Sequence, residues 1–165
     1  MTQSTSVLEA TVGQLLIQHG LTLAVAESCT GGLVGHRLTN VPGSSAYFLG
    51  GIMAYSYDAK EHLLGVRHNT LYDYGAVSEP VVHEMARGVR RALGADIGLA
   101  VTGIAGPGGG LPGKPVGLTW IALAAHHFDQ AESHLWQGDR EANKAQSAEA
   151  VLALLNTYLT GLATP

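Results

Sequence analysis

A single cysteine, Cys29, stands in the 165 residues, so no intramolecular disulfide can form and the chain suits a reducing compartment. Basic residues are scarce as well: nine Lys and Arg against thirteen Asp and Glu leave a formal net charge of −4. General nucleic-acid binding needs a basic surface to displace counterions, so no nucleic-acid partner is expected. Arg87, Arg90 and Arg91 do cluster on one face of an expected helix, where a solvated face is the ordinary outcome. There is no apolar run of about 18 residues, the stretch from Met1 to Ser6 is polar without a basic region, and Glu9, Gln14, Gln18 and His19 interrupt the apolar residues that follow. The expectation is a cytoplasmic protein with no membrane partner. Charged residues make up only 13% of the chain and hydrophobic ones 46%, which points to a well-buried sheet and to a subunit interface; a homo-oligomer is expected, a dimer first.

What is present reads as one domain over residues 1–165, with a core of ordinary size. Val7, Leu8, Val12, Leu15 and Leu16 recur at helical spacing before Gly20, predicting an amphipathic helix over 5–19. The run 21–26 predicts a strand that enters Thr30-Gly31-Gly32 and a helix ending near Asn40. A strand over 46–55, helices near 58–65 and 69–74, and a longer helix from Ser78 follow, with Ser78 as cap, Pro80 in the first turn and Glu79 complementing the dipole. Strands over 97–101, 116–125 and 132–137 and a terminal helix over 142–162 complete the pattern, with a glycine- and proline-rich loop at 103–115. Alternating helices and strands imply an α/β three-layer sandwich with a mainly parallel mixed sheet and a crevice at the carboxyl ends of its strands.

The chemistry-bearing residues gather around 43–60. Ser45 follows the Pro42-Gly43 turn, and the apolar run 52–55 leads to Tyr55 and Lys60. A lysine in a dry pocket loses its proton near neutral pH and can then take one from a hydroxyl, which would make Ser45 a nucleophile and Lys60 its base. Taken alone, these residues read as an ordinary polar turn and a solvated lysine. At 27–32 a strand turns into a helix, so backbone N–H groups there can hold an anion or serve a structural cap. Cys29 is the rival nucleophile, since a thiolate at a helix amino terminus is stabilised, although lone buried cysteines are mostly packing residues. Eight histidines raise a metal reading, but no His-Glu-x-x-His pair occurs and His126 and His127 would point apart on a strand, so no metal is expected.

Five stretches in order, Ala26-Glu27-Ser28-Cys29-Thr30-Gly31-Gly32, Gly43-Ser44-Ser45, Tyr55-Ser56 with Lys60, Gly75-Ala76-Val77-Ser78-Glu79-Pro80, and Gly103-Ile104-Ala105-Gly106-Pro107 with Lys114-Pro115-Val116-Gly117, closely resemble the CinA carboxy-terminal domain family over roughly residues 8–160. Characterised members of that family are nicotinamide-nucleotide amidohydrolases (NMN deamidases). The resemblance implies hydrolysis of the carboxamide of nicotinamide mononucleotide to nicotinate mononucleotide and ammonia, with no cofactor and a small-molecule nucleotide as partner. The alternatives are a non-catalytic nucleotide-binding module tied to competence or DNA damage, and an amidase for another nucleotide carboxamide.

In that frame Ser45 attacks, Lys60 accepts its proton and Tyr55 relays or orients it. Thr102 takes the place of a family hydroxyl residue near the active site, and Arg140, in Gly138-Asp139-Arg140, aligns with a family arginine associated with catalysis and is expected to clamp the phosphate or polarise the carboxamide. Glu27, Ser28, Thr30, Gly31 and Gly32 are expected to contact substrate, Glu27 either holding a ribose hydroxyl or ordering the loop. Amides near Ser44 and Ser45, or those after Thr102 at Gly103 and Gly106, are expected to meet the oxyanion. The chain departs from the family pattern at Tyr57, Gly108, Leu111 and Lys144.

Overall fold

A computed structural model describes residues 7–164. The elements run α1 (Val7–His19), β1 (Leu23–Glu27), α2 (Leu33–Thr39), a single 3-10 turn (Ser44–Ala46), β2 (Phe48–Met53), α3 (Tyr57–Leu64), α4 (His68–Tyr74), α5 (Glu79–Leu93), β3 (Ile97–Gly103), β4 (Leu118–Ala125), β5 (Phe128–Leu135) and α6 (Arg140–Thr160). The expected α1 start at residue 5 lies outside the described residues; every other expected element is present, with ends displaced by a few residues.

The five strands form one sheet in the order β2-β1-β3-β4-β5. β1 pairs parallel with β2 and with β3, while β4 lies antiparallel between β3 and β5, so four of the five strands point the same way. β1 is buried on both faces because each is covered by helices, which is why it reads as an unbroken apolar run. On one face Leu23, Val25, Leu99, Val101, Ile121 and Leu123 pack with α1, α2 and α6. On the other, Ala24, Ala26, Ala100 and Ala122 let α5 and α3 sit close. Gly98 makes that approach possible, since a Cβ there would stand 2.2 Å from the Ala86 carbonyl oxygen of α5. The result is the α/β/α sandwich with a mixed sheet that the alternation of elements predicts.

Two local expectations are corrected. Ser78 occupies the N-cap position of α5, but its hydroxyl donates back to the Gly75 carbonyl (2.7 Å) and caps no helical N–H. His126 and His127 are not on a strand: they form the β4–β5 turn, His127 in the left-handed region (φ 58°), with their rings 3.8 Å apart. The arginine face of α5 is engaged locally, Arg87 with Asp129 (2.6 Å) and Arg90 with the Asp96 carbonyl (2.8 Å).

The strand order creates one switch point. From β1 the chain moves outward through α2 to β2, then returns across β1 to β3 through α3, α4 and α5. A crevice therefore opens at the carboxyl ends of β1 and β3, where open sheets of this kind bind ligands.

Candidate active site

Lys60 sits on the buried face of α3, a helix that Ser56 caps by accepting from the Ala59 N–H (3.0 Å) and that Gly65 ends in the left-handed region. Its side chain is 1% exposed, and no carboxylate is among its hydrogen-bond partners. Nζ donates to the carbonyls of Ala54 (2.8 Å) and Tyr55 (3.3 Å) and lies 3.1 Å from Ser28 Oγ. Burial without a counter-ion disfavours the ammonium, and the pKa falls from 10.5 to about 8. A neutral amine has two N–H bonds and one lone pair. With the two N–H bonds directed to the carbonyls, the lone pair is left for the Ser28 hydroxyl.

Ser28 is the first residue past β1, fixed by its N–H to the Val101 carbonyl of β3 (3.1 Å). Ser28, Cys29, Tyr55, Lys60, Ala76, Val77, Thr102, Gly103, Ala105 and Arg140 line a cavity of about 210 Å³. Thr102, 1% exposed, donates to the Ala76 carbonyl (2.9 Å) and so pins the 75–78 turn to the end of β3. Gly103 permits close packing, since a Cβ would stand 2.6 Å from Thr119 Oγ1 and 3.1 Å from Cys29 Sγ. Arg140 opens α6 and reaches the cavity by donating to the Gly106 carbonyl (2.7 Å), its other nitrogen 3.3 Å from the Tyr55 hydroxyl. Gly106 thus serves through its carbonyl.

The serines depart from expectation, and the alternatives left open at Glu27 and Cys29 separate. Ser45 and Ser44 are not beside Lys60: they form the turn that precedes β2, and Lys60 follows its far end, across a six-residue strand that spans roughly 20 Å. A residue before a parallel strand sits at its amino end, whereas the crevice is at the carboxyl ends; Ser28 takes the place expected of Ser45. Of the two roles expected of Glu27, the geometry fits ordering the loop. Glu27 is 3% exposed and both oxygens are used within the chain, Oε2 accepting from Thr30 Oγ1 (2.5 Å) and the N–H groups of Gly32 and Val34 (both 3.1 Å), Oε1 from Gly35 N–H (2.8 Å). That carboxylate occupies the amino end of α2, so the 27–32 turn is a loop ordered by its own anion. Finally, burial pushes the Cys29 thiol up to about 12, which removes the thiolate on which a cysteine mechanism depends.

Thr30, Gly31 and Gly32 line a neighbouring recess of about 430 Å³ with Leu33, His36, Glu141 and Lys144. Lys144 Nζ lies over the turn, 3.6 Å from where a Gly31 Cβ would be. Asn143 went unnoticed in the sequence although it is 2% exposed and clamps the site's rear wall, donating to the Ala105 carbonyl (3.0 Å) and accepting from Gly138 N–H (3.0 Å). The signal was a polar residue on the apolar stripe of the terminal helix. Among the described residues no three His, Cys, Asp or Glu side chains gather around a possible ion position.

Fold and site together define an α/β-sandwich domain that holds a buried hydroxyl–amine pair at the switch point of its sheet. Residues 5–159 match the CinA C-terminal domain, and the chain belongs to that family. It is 53% identical over 148 residues to a putative competence-damage inducible protein of Moorella thermoacetica, covering 90% of this chain and 36% of the relative. A CinA-like protein of Chlorobium limicola is 52% identical over 163 residues, covering 96% and 38%. The chain thus spans little more than a third of the length of these relatives. Among solved structures, the competence damage-inducible protein A of Klebsiella pneumoniae superposes with a TM-score of 0.93 at 37% identity, covering 98% of this chain and all of that one. The competence/damage inducible protein CihA of Agrobacterium tumefaciens gives 0.91 at 35% identity, covering 97% and 98%.

Proposed function

We propose that this domain hydrolyses the carboxamide of nicotinamide mononucleotide to nicotinate mononucleotide and ammonia, with Ser28 as nucleophile and Lys60 as base. The observation that carries it is the uncompensated Lys60 amine 3.1 Å from Ser28 Oγ at the mouth of the sheet. Ser28 Oγ attacks the carboxamide carbon as its proton passes to Lys60. Cavity-lining donors, Arg140 among them, meet the oxyanion. Collapse breaks the C–N bond while the Lys60 ammonium returns its proton to the departing nitrogen as ammonia. Lys60, neutral again, takes a proton from a water that cleaves the Ser28 ester, and the proton goes back to Ser28 Oγ. Tyr55 and Arg140 orient the substrate at the rim, and Thr102 holds the 75–78 wall in place. Because Glu27 fills the α2 terminus, the phosphate goes to the adjoining recess, where Lys144 supplies positive charge.

A non-catalytic binding module would have no use for a buried amine stripped of its counter-ion. Ammonia release measured side by side for nicotinamide mononucleotide, nicotinamide riboside, nicotinamide and NAD tests the proposal. The mononucleotide is expected to have the highest kcat/KM, and no release from any of the four would refute an amidase of this class.

A further inference from the structure

The buried stripe of α6 is polar at one end only. Asn143, Ser147, Val151, Leu155 and Leu159 recur every fourth residue and all are buried, but the first two, at the end of the helix that carries Arg140, are polar. A buried polar side chain is costly unless paired, and both are paired. Ser147 donates its one O–H to the Asn143 carbonyl (2.7 Å) and accepts from Trp136 Nε1 (2.9 Å), with Thr119 Oγ1 3.1 Å away. Those contacts fasten the helix to β4 and Trp136. The Asn143 amide reaches toward the crevice instead, its Nδ2 donating to the Ala105 carbonyl and its Oδ1 accepting from the Gly138 N–H, each at 3.0 Å. Both groups adjoin the anchors of Arg140: Gly106, whose carbonyl accepts from the guanidinium (2.7 Å), follows Ala105, and Gly138 stands two residues before Arg140 itself. The contacts close a ring from the guanidinium through Gly106, Ala105, the Asn143 amide and Gly138 back to Arg140.

We propose that Asn143 is a positioning residue that aims Arg140 at the reacting carboxamide. Arg140 is exposed, so hydrogen bonds rather than packing must order its long side chain against the rotamer freedom it would otherwise keep. Neither of its partners, the Gly106 carbonyl and the Tyr55 hydroxyl, is a carboxylate, and of its five N–H donors three are left for a ligand in the cavity that it lines. Where those donors point depends on where the Gly106 carbonyl stands. From Ala105 to Gly110 the bonds from Asn143 and Arg140 are the only hydrogen bonds to the chain among the described residues, so without the Asn143 amide this segment keeps only its bond to the arginine. One side chain must donate to Ala105 and accept from Gly138, which a carboxamide can do and an aliphatic side chain cannot. What Arg140 does to the carboxamide rests on the amidase proposal; its positioning by Asn143 does not.

The positioning is read without substrate from side-chain 15N relaxation at Arg140 Nε in the ligand-free protein. The wild type should give an order parameter of about 0.8, and Asn143→Leu, which keeps an apolar stripe of similar volume and loses both hydrogen bonds, one below about 0.6. Asn143→Ala should do the same and carries the test if leucine does not fit. Ser147→Ala breaks the neighbouring contacts to Trp136 and Thr119 and controls for a loosened helix: it should lower the denaturation midpoint yet leave the order parameter and kcat/KM near the wild-type values. In ammonia release from nicotinamide mononucleotide, Asn143→Leu should lower kcat/KM about tenfold, mostly through kcat, and should cost nothing further in an Arg140→Ala background, because it acts through that arginine. An unchanged order parameter in the Asn143 variants, a loss of activity in Ser147→Ala equal to that in Asn143→Leu, or additive losses in Arg140→Ala/Asn143→Leu overturns the positioning role. An Arg140 released in Asn143→Leu, beside a wild type that yields no ammonia, overturns only the amidase reading.

Discussion

At the scale of single residues, the proposed chemistry turns on Lys60. With its pKa at about 8 because burial disfavours the ammonium, roughly a tenth of the molecules carry a neutral Lys60 amine at pH 7. kcat/KM should therefore climb about tenfold per pH unit below 8 and level off above it. Lys60→Arg keeps the charge but cannot deprotonate in this range, so it should lower kcat by at least about 10³-fold at every pH tested. Stability carries the same signature. The folded pKa lies below the unfolded value, so between about 8 and 10.5 the unfolded chain binds more protons at this position and stability rises with pH; below 8 the full cost of the buried ammonium is present. Denaturant melts should show the wild type gaining on Lys60→Met across that window, and a pH-independent difference would mean that Lys60 is not held in a desolvated site.

Glycines set the spacing at the scale of elements. A Cβ at Gly98 would stand 2.2 Å from the Ala86 carbonyl oxygen, and one at Gly88 2.0 Å from that of Leu64. Backbone atoms cannot yield as a flexible side chain does, so Gly88→Ala and Gly98→Ala should each destabilise by about 1–3 kcal/mol or more, read as a lowered denaturation midpoint. Gly88→Ala also pushes α3, which carries Lys60, and should cost activity even where the fold survives. This scale shows how far the sequence could be read. The apolar run of β1 and the helical spacing of Val12 and Leu16 in α1 announce themselves through local pattern, so the elements and their order were legible. The partner of Lys60 was not, because it depends on which end of a strand a residue occupies. Ser45 is nearer to Lys60 in sequence, but it precedes β2 while Ser28 follows β1. Applying the carboxyl-end rule to each serine would have chosen Ser28. The choice between the two roles of Glu27 stayed open for a different reason: four donors from residues 30–35 converge on it only once the turn has folded.

For the whole molecule, the helices on both faces leave one crevice at the switch point, and the reaction is drawn there beside a second recess that carries Lys144. No helix among the described residues is long and apolar enough to cross a membrane. If the recess takes the phosphate, Lys144→Ala should raise KM for nicotinamide mononucleotide about tenfold while leaving nicotinamide riboside turnover unchanged, the loss of one charge-assisted contact. Equal effects on both substrates would place the phosphate elsewhere.

The central claim is that Ser28, and not the serine nearest Lys60 in sequence, attacks the carboxamide. Steady-state ammonia release from nicotinamide mononucleotide by Ser28→Ala and Ser45→Ala, each checked for ligand binding by calorimetry, tests it most directly. Ser28→Ala should still bind but lose at least about 10³-fold in kcat, while Ser45→Ala keeps a kcat close to the wild type. A Ser28→Ala enzyme that turns over normally beside an inactive Ser45→Ala would contradict the assignment.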